Sequence, residues 1–246
     1  FLFVDRIVRA DVEPFVMKAG GVVTAEYDVP PQAWYFAEAR APVMPFCVLL
    51  EAALQVCGWT SAYIGSALTS KEPLHYRNLG GKARQLGDVT PDSGTLATTV
   101  KVTRVAASAG MIIQEFDLLT RDQAGPVYEG STTFGFFSPE ALAQQVGLRD
   151  VQPADVAGPW APFPREAPMP GDMLRMLDEM AWQPGCGLAT GRKRVRPEEW
   201  FFKAHFLDDP VWPGSLGLEA LIQLLQAVAV ERFGRCRQFQ VNHAPH

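Results

Sequence analysis

Cysteine, histidine and any excess of positive charge are scarce in this sequence. Four cysteines, Cys47, Cys57, Cys186 and Cys236, are scattered over 246 residues with no Cys-x-x-Cys pair and no metal-ligand spacing. That excludes a zinc ribbon or a disulfide framework and makes small buried hydrophobes the expectation for all four, in a reducing, cytoplasmic setting. Lys and Arg number 22 against 27 Asp and Glu, a formal net charge of −5. With no basic stripe, nucleic acid is not an expected partner. Long apolar runs are missing too: residues 216–230 are interrupted by Glu219, Gln223 and Gln226 and fall short of the roughly 20 residues that cross a bilayer, so no membrane span is expected. The opening Phe1-Leu2-Phe3-Val4-Asp5-Arg6 has no initiating Met, basic stretch or small-residue cleavage site, which suggests a cut end rather than a signal peptide.

What the chain does have is core-forming material, 48% hydrophobic against 20% charged residues, and an internal repeat. Displaced by 168 positions, Pro42-Val43-Met44-Pro45-Phe46-Cys47-Val48-Leu49-Leu50-Glu51-Ala52-Ala53-Leu54-Gln55 lies on Pro210-Val211-Trp212-Pro213-Gly214-Ser215-Leu216-Gly217-Leu218-Glu219-Ala220-Leu221-Ile222-Gln223, with seven of the fourteen positions identical. Trp34-Tyr35-Phe36 matches Trp200-Phe201-Phe202 at a displacement of 166, so the second copy has two extra residues before its proline. A fainter match joins Phe3-Val4-Asp5-Arg6-Ile7 to Met176-Leu177-Asp178-Glu179-Met180. Between the copies, prolines at 153, 159, 162, 164, 168 and 170 defeat helix and central strand and predict an extended connector. The expected organisation is a first unit over 1–148, a linker over 149–171 and a second unit over 172–246.

Residues 46–66 predict a helix that is apolar on most faces and therefore buried, and alternation over 95–105, 111–120 and 127–137 predicts three strands of an antiparallel meander. Strands, one long buried helix and more strands suit an α+β layout in which a sheet curls around a single helix. The second copy follows suit through a helix from Ser215 to about Phe233 and has thirteen residues after it. It is expected to lack most of its later strands, so that either the sequence is truncated or a partner chain supplies them.

The chemistry-bearing stretch is Phe202-Lys203-Ala204-His205-Phe206-Leu207-Asp208-Asp209-Pro210-Val211-Trp212-Pro213-Gly214-Ser215-Leu216-Gly217-Leu218-Glu219-Ala220. Imidazole exchanges its proton near neutral pH, which suits a base. A helix starting at Gly214 or Ser215 offers unpaired N–H groups and a positive dipole end to an oxygen gaining charge, and Gly214 lets a ligand approach the backbone. Glu51 and Glu219 occupy matching places on otherwise apolar helices, where burial would keep a carboxyl protonated; a glutamate merely facing solvent is the plain alternative. His75 falls in a stretch rich in Pro, Tyr and Asn, and His243 and His246 lie at the far end; surface positions are expected for these three.

This stretch resembles the signature of the bacterial 3-hydroxydecanoyl thioester dehydratase/isomerase family, with a histidine ahead of Asp-Pro-Val-x-Pro-Gly and an acid fourteen residues after it. The tandem arrangement, with Met44-Pro45-Phe46-Cys47 in the first copy and Phe134-Gly135-Phe136-Phe137 downstream, resembles the dehydratase regions of polyunsaturated-fatty-acid and polyketide-type synthases. The resemblance implies a double hotdog fold whose two units pack as a pseudo-dimer, with further dimerisation open. It implies dehydration of 3-hydroxyacyl thioesters carried on the phosphopantetheine of an acyl carrier protein, with no other cofactor and no metal. It also implies His205 as base, Pro213, Gly214 and Ser215 as substrate-binding residues with Phe46 and Cys47 at the matching places, and an acid taken from the other unit. His205 would then pair with Glu51. A second site around Glu219 would lack its base, because residues 34–42 hold only Glu38 and Arg40 as charged side chains. In the family the acid is Asp in isomerising members and Glu in plain dehydratases, which tilts this chain away from isomerisation. A hotdog thioesterase and a non-catalytic acyl-binding or scaffolding module of a megasynthase are the alternatives.

Overall fold

A computed structural model describes residues 2–108, 110–145, 150, 159–206 and 208–239. In chain order the elements are β1 (Arg6–Asp11), β2 (Val22–Asp28), α1 (Trp34–Ala39), α2 (Phe46–Tyr63), β3 (His75–Gln85), β4 (Thr95–Ser108), β5 (Met111–Arg121), β6 (Pro126–Phe137), α3 (Pro139–Ala143), β7 (Ala161–Pro162), β8 (Glu179–Gln183), β9 (Leu188–Arg192), α4 (Trp200–Ala204) and α5 (Gly214–Phe233). Two compact units result, one from residues 2–31 and 49–145, the other from 32–48 and the described residues from 150 to 239. Residues 32–48, part of the first repeat, thus group with the second unit.

The first unit is a six-stranded antiparallel sheet in the order β1-β2-β4-β5-β6-β3, with most of α2. Alternation does what it predicts: Leu96, Val100 and Val102 of β4 and Ile112, Phe116 and Leu118 of β5 are buried while their neighbours look outward. In the β5–β6 turn, Asp122 Oδ1 accepts from the N–H groups of Ala124 (2.8 Å) and Gly125 (3.1 Å), and Gly125 supplies the positive φ of 146°. From residue 49 on, α2 buries Leu49, Ala52, Ala53, Val56, Cys57, Thr60 and Ser61. The Thr60 hydroxyl returns a hydrogen bond to the Val56 carbonyl at 2.8 Å.

Three expectations need correcting. His75 does not lie in a surface loop: it opens β3, is half-buried and pairs with Phe137 of β6, because sheet register overrides the turn-forming look of its neighbours. Cys186 and Cys236 are exposed, whereas Cys47 and Cys57 are buried as expected; the exposed pair fall in the β8–β9 turn and after α5, where no core covers them. The longer helices, finally, both reach a mean hydropathy of 1.2 and are long enough to cross a membrane by composition. For α2 the cause is its place in a core; in α5 the interrupting residues Glu219 and Gln223 are themselves buried. His243 and His246 lie outside the described residues, as do residues 149 and 151–158 of the proline-rich connector. Its later part is structured: Ala161–Pro162 pair with β8, and Phe163 and Met169 are buried.

The second unit sets a three-stranded sheet, β7-β8-β9, against α5 around Phe163, Met169, Leu177, Met180 and Ala227. Its descent from the same pattern as the first unit shows in matching hydrogen bonds. Phe3 N–H donates to Gln55 Oε1 (2.7 Å) and Met176 N–H to Gln223 Oε1 (2.9 Å). Asp5 N–H donates to the Glu26 carbonyl and Asp178 N–H to that of Arg192. Asp5 Oδ2 receives Asp28 N–H and Asp178 Oδ2 receives Arg194 N–H, both at 2.7 Å. The faint match of Phe3–Ile7 to Met176–Met180 is therefore a true equivalence. The units differ over the outer face of the long helix: Leu221 and Leu225 of α5 are 65% and 70% exposed, whereas Ala53 and Cys57 at the matching places of α2 are 1% and 0%. Among the described residues no strand follows α5.

Gln223 is wholly buried, and its Nε2 also donates to the Leu174 carbonyl at 2.7 Å. Gln223→Ala is expected to leave the Leu174 carbonyl and the Met176 N–H without partners, at about 1–3 kcal/mol each. Gln55→Ala should cost less, and urea unfolding midpoints of the two variants measure the difference.

Candidate active site

The aromatic triplet of α4 fixes where His205 emerges. Trp200 Nε1–H donates to the Met173 carbonyl at 2.8 Å, and Phe201 is buried with its ring 4.8 Å from that of Trp212. The helix ends as His205 turns to an extended conformation, its N–H still on the Phe201 carbonyl at 2.8 Å. Phe206 and Asp208 then take left-handed conformations, φ 58° and 56°, sparsely allowed for residues with a Cβ and found mainly where surroundings hold them in place. This bend brings the Val211 carbonyl to 2.9 Å from His205 Nδ1. A carbonyl can only accept, so Nδ1 carries a proton. In the neutral form of the ring, Nε2 is then the nitrogen with the lone pair.

Downstream, Pro213 is the N-cap of α5 and no side chain caps the helix. Its carbonyl accepts from Leu216 N–H (3.0 Å) and Gly217 N–H (3.2 Å), so the Gly214 N–H precedes the first intrahelical bond. Gly214 is exposed, and a Cβ built there would meet nothing within 4 Å. Ser215 is buried in the same turn. An uncapped helix start with open space beside it is a ready seat for an oxygen acquiring negative charge.

Glu219, one turn further along α5, is 7% exposed. Gln223 Nε2 donates to its Oε1 at 2.8 Å, and the thiol of Cys47 is hydrogen-bonded to the carboxyl. Burial pushes the Glu219 carboxyl above the ordinary carboxylate value, against the opposing pull of the Gln223 and Cys47 bonds. Burial, and after it the Glu219 charge, pushes the Cys47 thiol well up, so it is no nucleophile. Sequence reasoning expects Glu219 on an otherwise apolar surface and names Cys47 at a substrate-binding place; the structure buries Glu219 and brings the two together. Phe46, the first residue of α2, is half-buried and carries a side chain where the second copy has Gly214. Glu51 lies further along α2, in the first unit, half-buried. After burial and Cys57, its charge is the third influence raising the buried Tyr76 hydroxyl. Sequence reasoning missed Gln223 and the Val211 carbonyl as site members. Gln223 had left a signal, as one of the seven identities of the repeat, but its backbone partners lie 47 and 49 residues away. Among the described residues no group of three or more His, Cys, Asp or Glu side chains could hold a metal ion.

The architecture and this site define the class: an α+β hotdog-type chain. Residues 1–129 and 169–243 match the FabA-like domain, and the chain belongs to that family. It is 30% identical over 245 residues to a polyunsaturated fatty acid synthase subunit from Thraustochytrium sp., a match covering 86% of this chain and 16% of that protein. The chain therefore spans about a sixth of that relative's length. Among solved structures, a hypothetical thioesterase with coenzyme A from Streptococcus pneumoniae is 15% identical, with a TM-score of 0.37, over 54% of this chain and 85% of that one. A hot-dog-like protein from Thermanaerovibrio acidaminovorans is 17% identical, with a TM-score of 0.38, over 55% and 95%.

Because folding raises the affinity of Glu219 for its proton, the stability it contributes is full at low pH. It is lost as pH rises from the ordinary value of 4.5 through the raised one. Glu219→Gln is therefore expected to flatten this part of the profile and to be relatively more stable at pH 8 than at pH 4. Thermal midpoints of both proteins across that range check it.

Proposed function

We propose that this chain dehydrates 3-hydroxyacyl thioesters to 2-enoyl thioesters, the acyl group arriving on the phosphopantetheine arm of an acyl carrier protein. The observation that carries this is the His205 Nδ1 contact with the Val211 carbonyl, 2.9 Å, which leaves Nε2 basic on the loop leading into an uncapped helix start. In the reaction Nε2 takes a proton from C2 while the thioester carbonyl accepts from the Gly214 N–H, which stabilises the charge that develops on its oxygen. The C2–H electron pair becomes the C2=C3 bond, and the C3–O bond breaks as the hydroxyl receives a proton from a carboxylic acid and departs as water. These are proton transfers and one carbonyl polarisation, and they ask for no further cofactor.

Glu51 is assigned as the acid. Glu219 of the second copy is engaged by Cys47, which stands at the helix start of the first copy. Glu51, the equivalent of Glu219 in the first copy, is the acid proposed to serve His205. The first copy has Phe46 in place of the glycine and no histidine over 34–42. Its Glu38 carboxylate accepts from Met173 N–H at 2.9 Å and its Arg40 donates to the Arg165 carbonyl at 3.0 Å. One working site in a pseudo-dimer of hotdog units follows, with Glu51 favouring dehydration without isomerisation.

With a 3-hydroxyacyl pantetheine or carrier-protein thioester as substrate, mass spectrometry should show loss of water and an enoyl product. His205→Ala should give none, and Glu51→Gln should be slowed about 10²–10⁴-fold, while Glu219→Gln stays near the parent rate. The opposite behaviour of the two glutamates would overturn the pairing, and release of free acid would make the protein a thioesterase. Gly214→Ala should fold as the parent does, since its Cβ meets nothing within 4 Å. It should nevertheless lose about 10²-fold in kcat as the substrate oxygen is held off the helix start.

A further inference from the structure

Residues 171–176 form a turn held from three sides. Gly171 N–H donates to the Glu38 carbonyl at 2.7 Å and Met173 N–H to Glu38 Oε2 at 2.9 Å. The Met173 carbonyl takes Trp200 Nε1–H, and Gln223 holds both Leu174 and Met176. A Cβ at residue 171 would come 2.5 Å from Glu38 Oε2 and would have to push that carboxylate aside. From this rigid turn Asp172 and Arg175 project.

Arg175 Nη2 lies 3.1 Å and Arg165 Nη1 3.7 Å from the same oxygen, Asp172 Oδ1. The Arg165 carbonyl in turn receives Arg40 Nη1 at 3.0 Å. Three guanidinium groups are thus tied to one short stretch. Of the carboxylates in this stretch, Asp172 is 76% exposed, Glu38 is already engaged by the Met173 N–H, and Glu166, next to Arg165, pairs with Arg235 at 2.9 Å. Arg175 is the unusual member. Its side chain is only 13% exposed, and its Nε is buried with no hydrogen-bond partner among the described residues. A buried donor left unsatisfied is costly, and one belonging to a cation more so. An exposed carboxylate shared by two guanidiniums is a weak and replaceable counter-ion. A phosphate, with several oxygens, would satisfy the fork of Arg175 through Nε and Nη2 together and reach Arg165 as well.

We propose that Arg175 and Arg165 form an anion site for the phosphate of the phosphopantetheine arm, displacing Asp172. This rests on the reading of the chain as acting on carrier-borne thioesters. The placement suits it. The turn is bonded to Trp200, which opens the five-residue α4 that ends at His205. Such a helix is about 7.5 Å long, so the turn that carries Arg175 and the loop that carries His205 are tied to the same short helix.

The test compares equilibrium binding of 4′-phosphopantetheine and of pantetheine, which differ only in the phosphate, with inorganic phosphate as a competitor. The parent protein should bind the phosphorylated compound at least about tenfold more tightly, and phosphate should compete. Arg175→Met should bring the ratio close to one, Arg175→Lys should keep part of it, and Arg165→Ala, at an exposed position, should reduce it without threat to the fold. Equal affinity of the parent protein for both compounds, or an unchanged ratio in Arg175→Met and Arg165→Ala, would sink the proposal. Binding is read without turnover, so a protein that prefers the phosphorylated compound yet forms no enoyl product keeps the anion site and loses the dehydratase reading.

Discussion

The buried side-chain amide of Gln223 is the constraint on which the second unit depends. Its oxygen holds the Met176 N–H and its nitrogen holds both the Leu174 carbonyl and the carboxyl of Glu219. One side chain thereby completes the hydrogen bonding of a strand entry and of an acid on the long helix. Inside a dry core an amide of this kind is rigid because each alternative position would strand at least one polar group. Gln55 does part of the same work for Phe3 in the first unit. The turn that Gln223 fixes also carries the Met173 carbonyl used by Trp200, and so it sets the origin of α4 and of His205.

From that frame the site is built with few parts. Aromatic packing and one indole hydrogen bond set the end of α4, Phe206 and Asp208 are left-handed, and a backbone carbonyl accepts from Nδ1 of His205. The helix that follows has a proline and a glycine at its start instead of a capping side chain. A Ser or Asp cap would stabilise the helix but would occupy its first N–H donors. The two copies diverge at this same place. Where the second has Gly214 the first has Phe46, and the buried acid of the second copy is occupied by Cys47. A carboxyl and a thiol whose proton affinities are both raised by burial make a contact that a core tolerates.

Much of this was open to a reader of the residues alone. The repeat, the two long apolar helices, the three strands β4 to β6, and the motif from His205 to Glu219 follow from periodicity and spacing, because burial imposes patterns that composition records. His75 shows where that legibility ends: its neighbours look like a turn, yet register with β6 makes it the first residue of a strand. The short helices α1 and α4 were likewise invisible, since a stretch of five or six aromatic-rich residues has no period to detect and is helical only because its rings are buried against partners.

By itself the sequence determined that this is an α+β chain made of two related copies, with one histidine-bearing loop ahead of a long helix, because each of those properties is a local pattern. Tertiary structure alone decided which nitrogen of His205 holds the proton, that Glu219 faces Cys47 and Gln223, and that residues 32–48 group with the second unit. The His205 contact is a local one that no periodicity announces, while the meeting of Glu219 with Cys47 and the grouping of 32–48 bring together distant parts of the chain. The energy of such a meeting comes from burying polar atoms in company, and no linear pattern encodes the company.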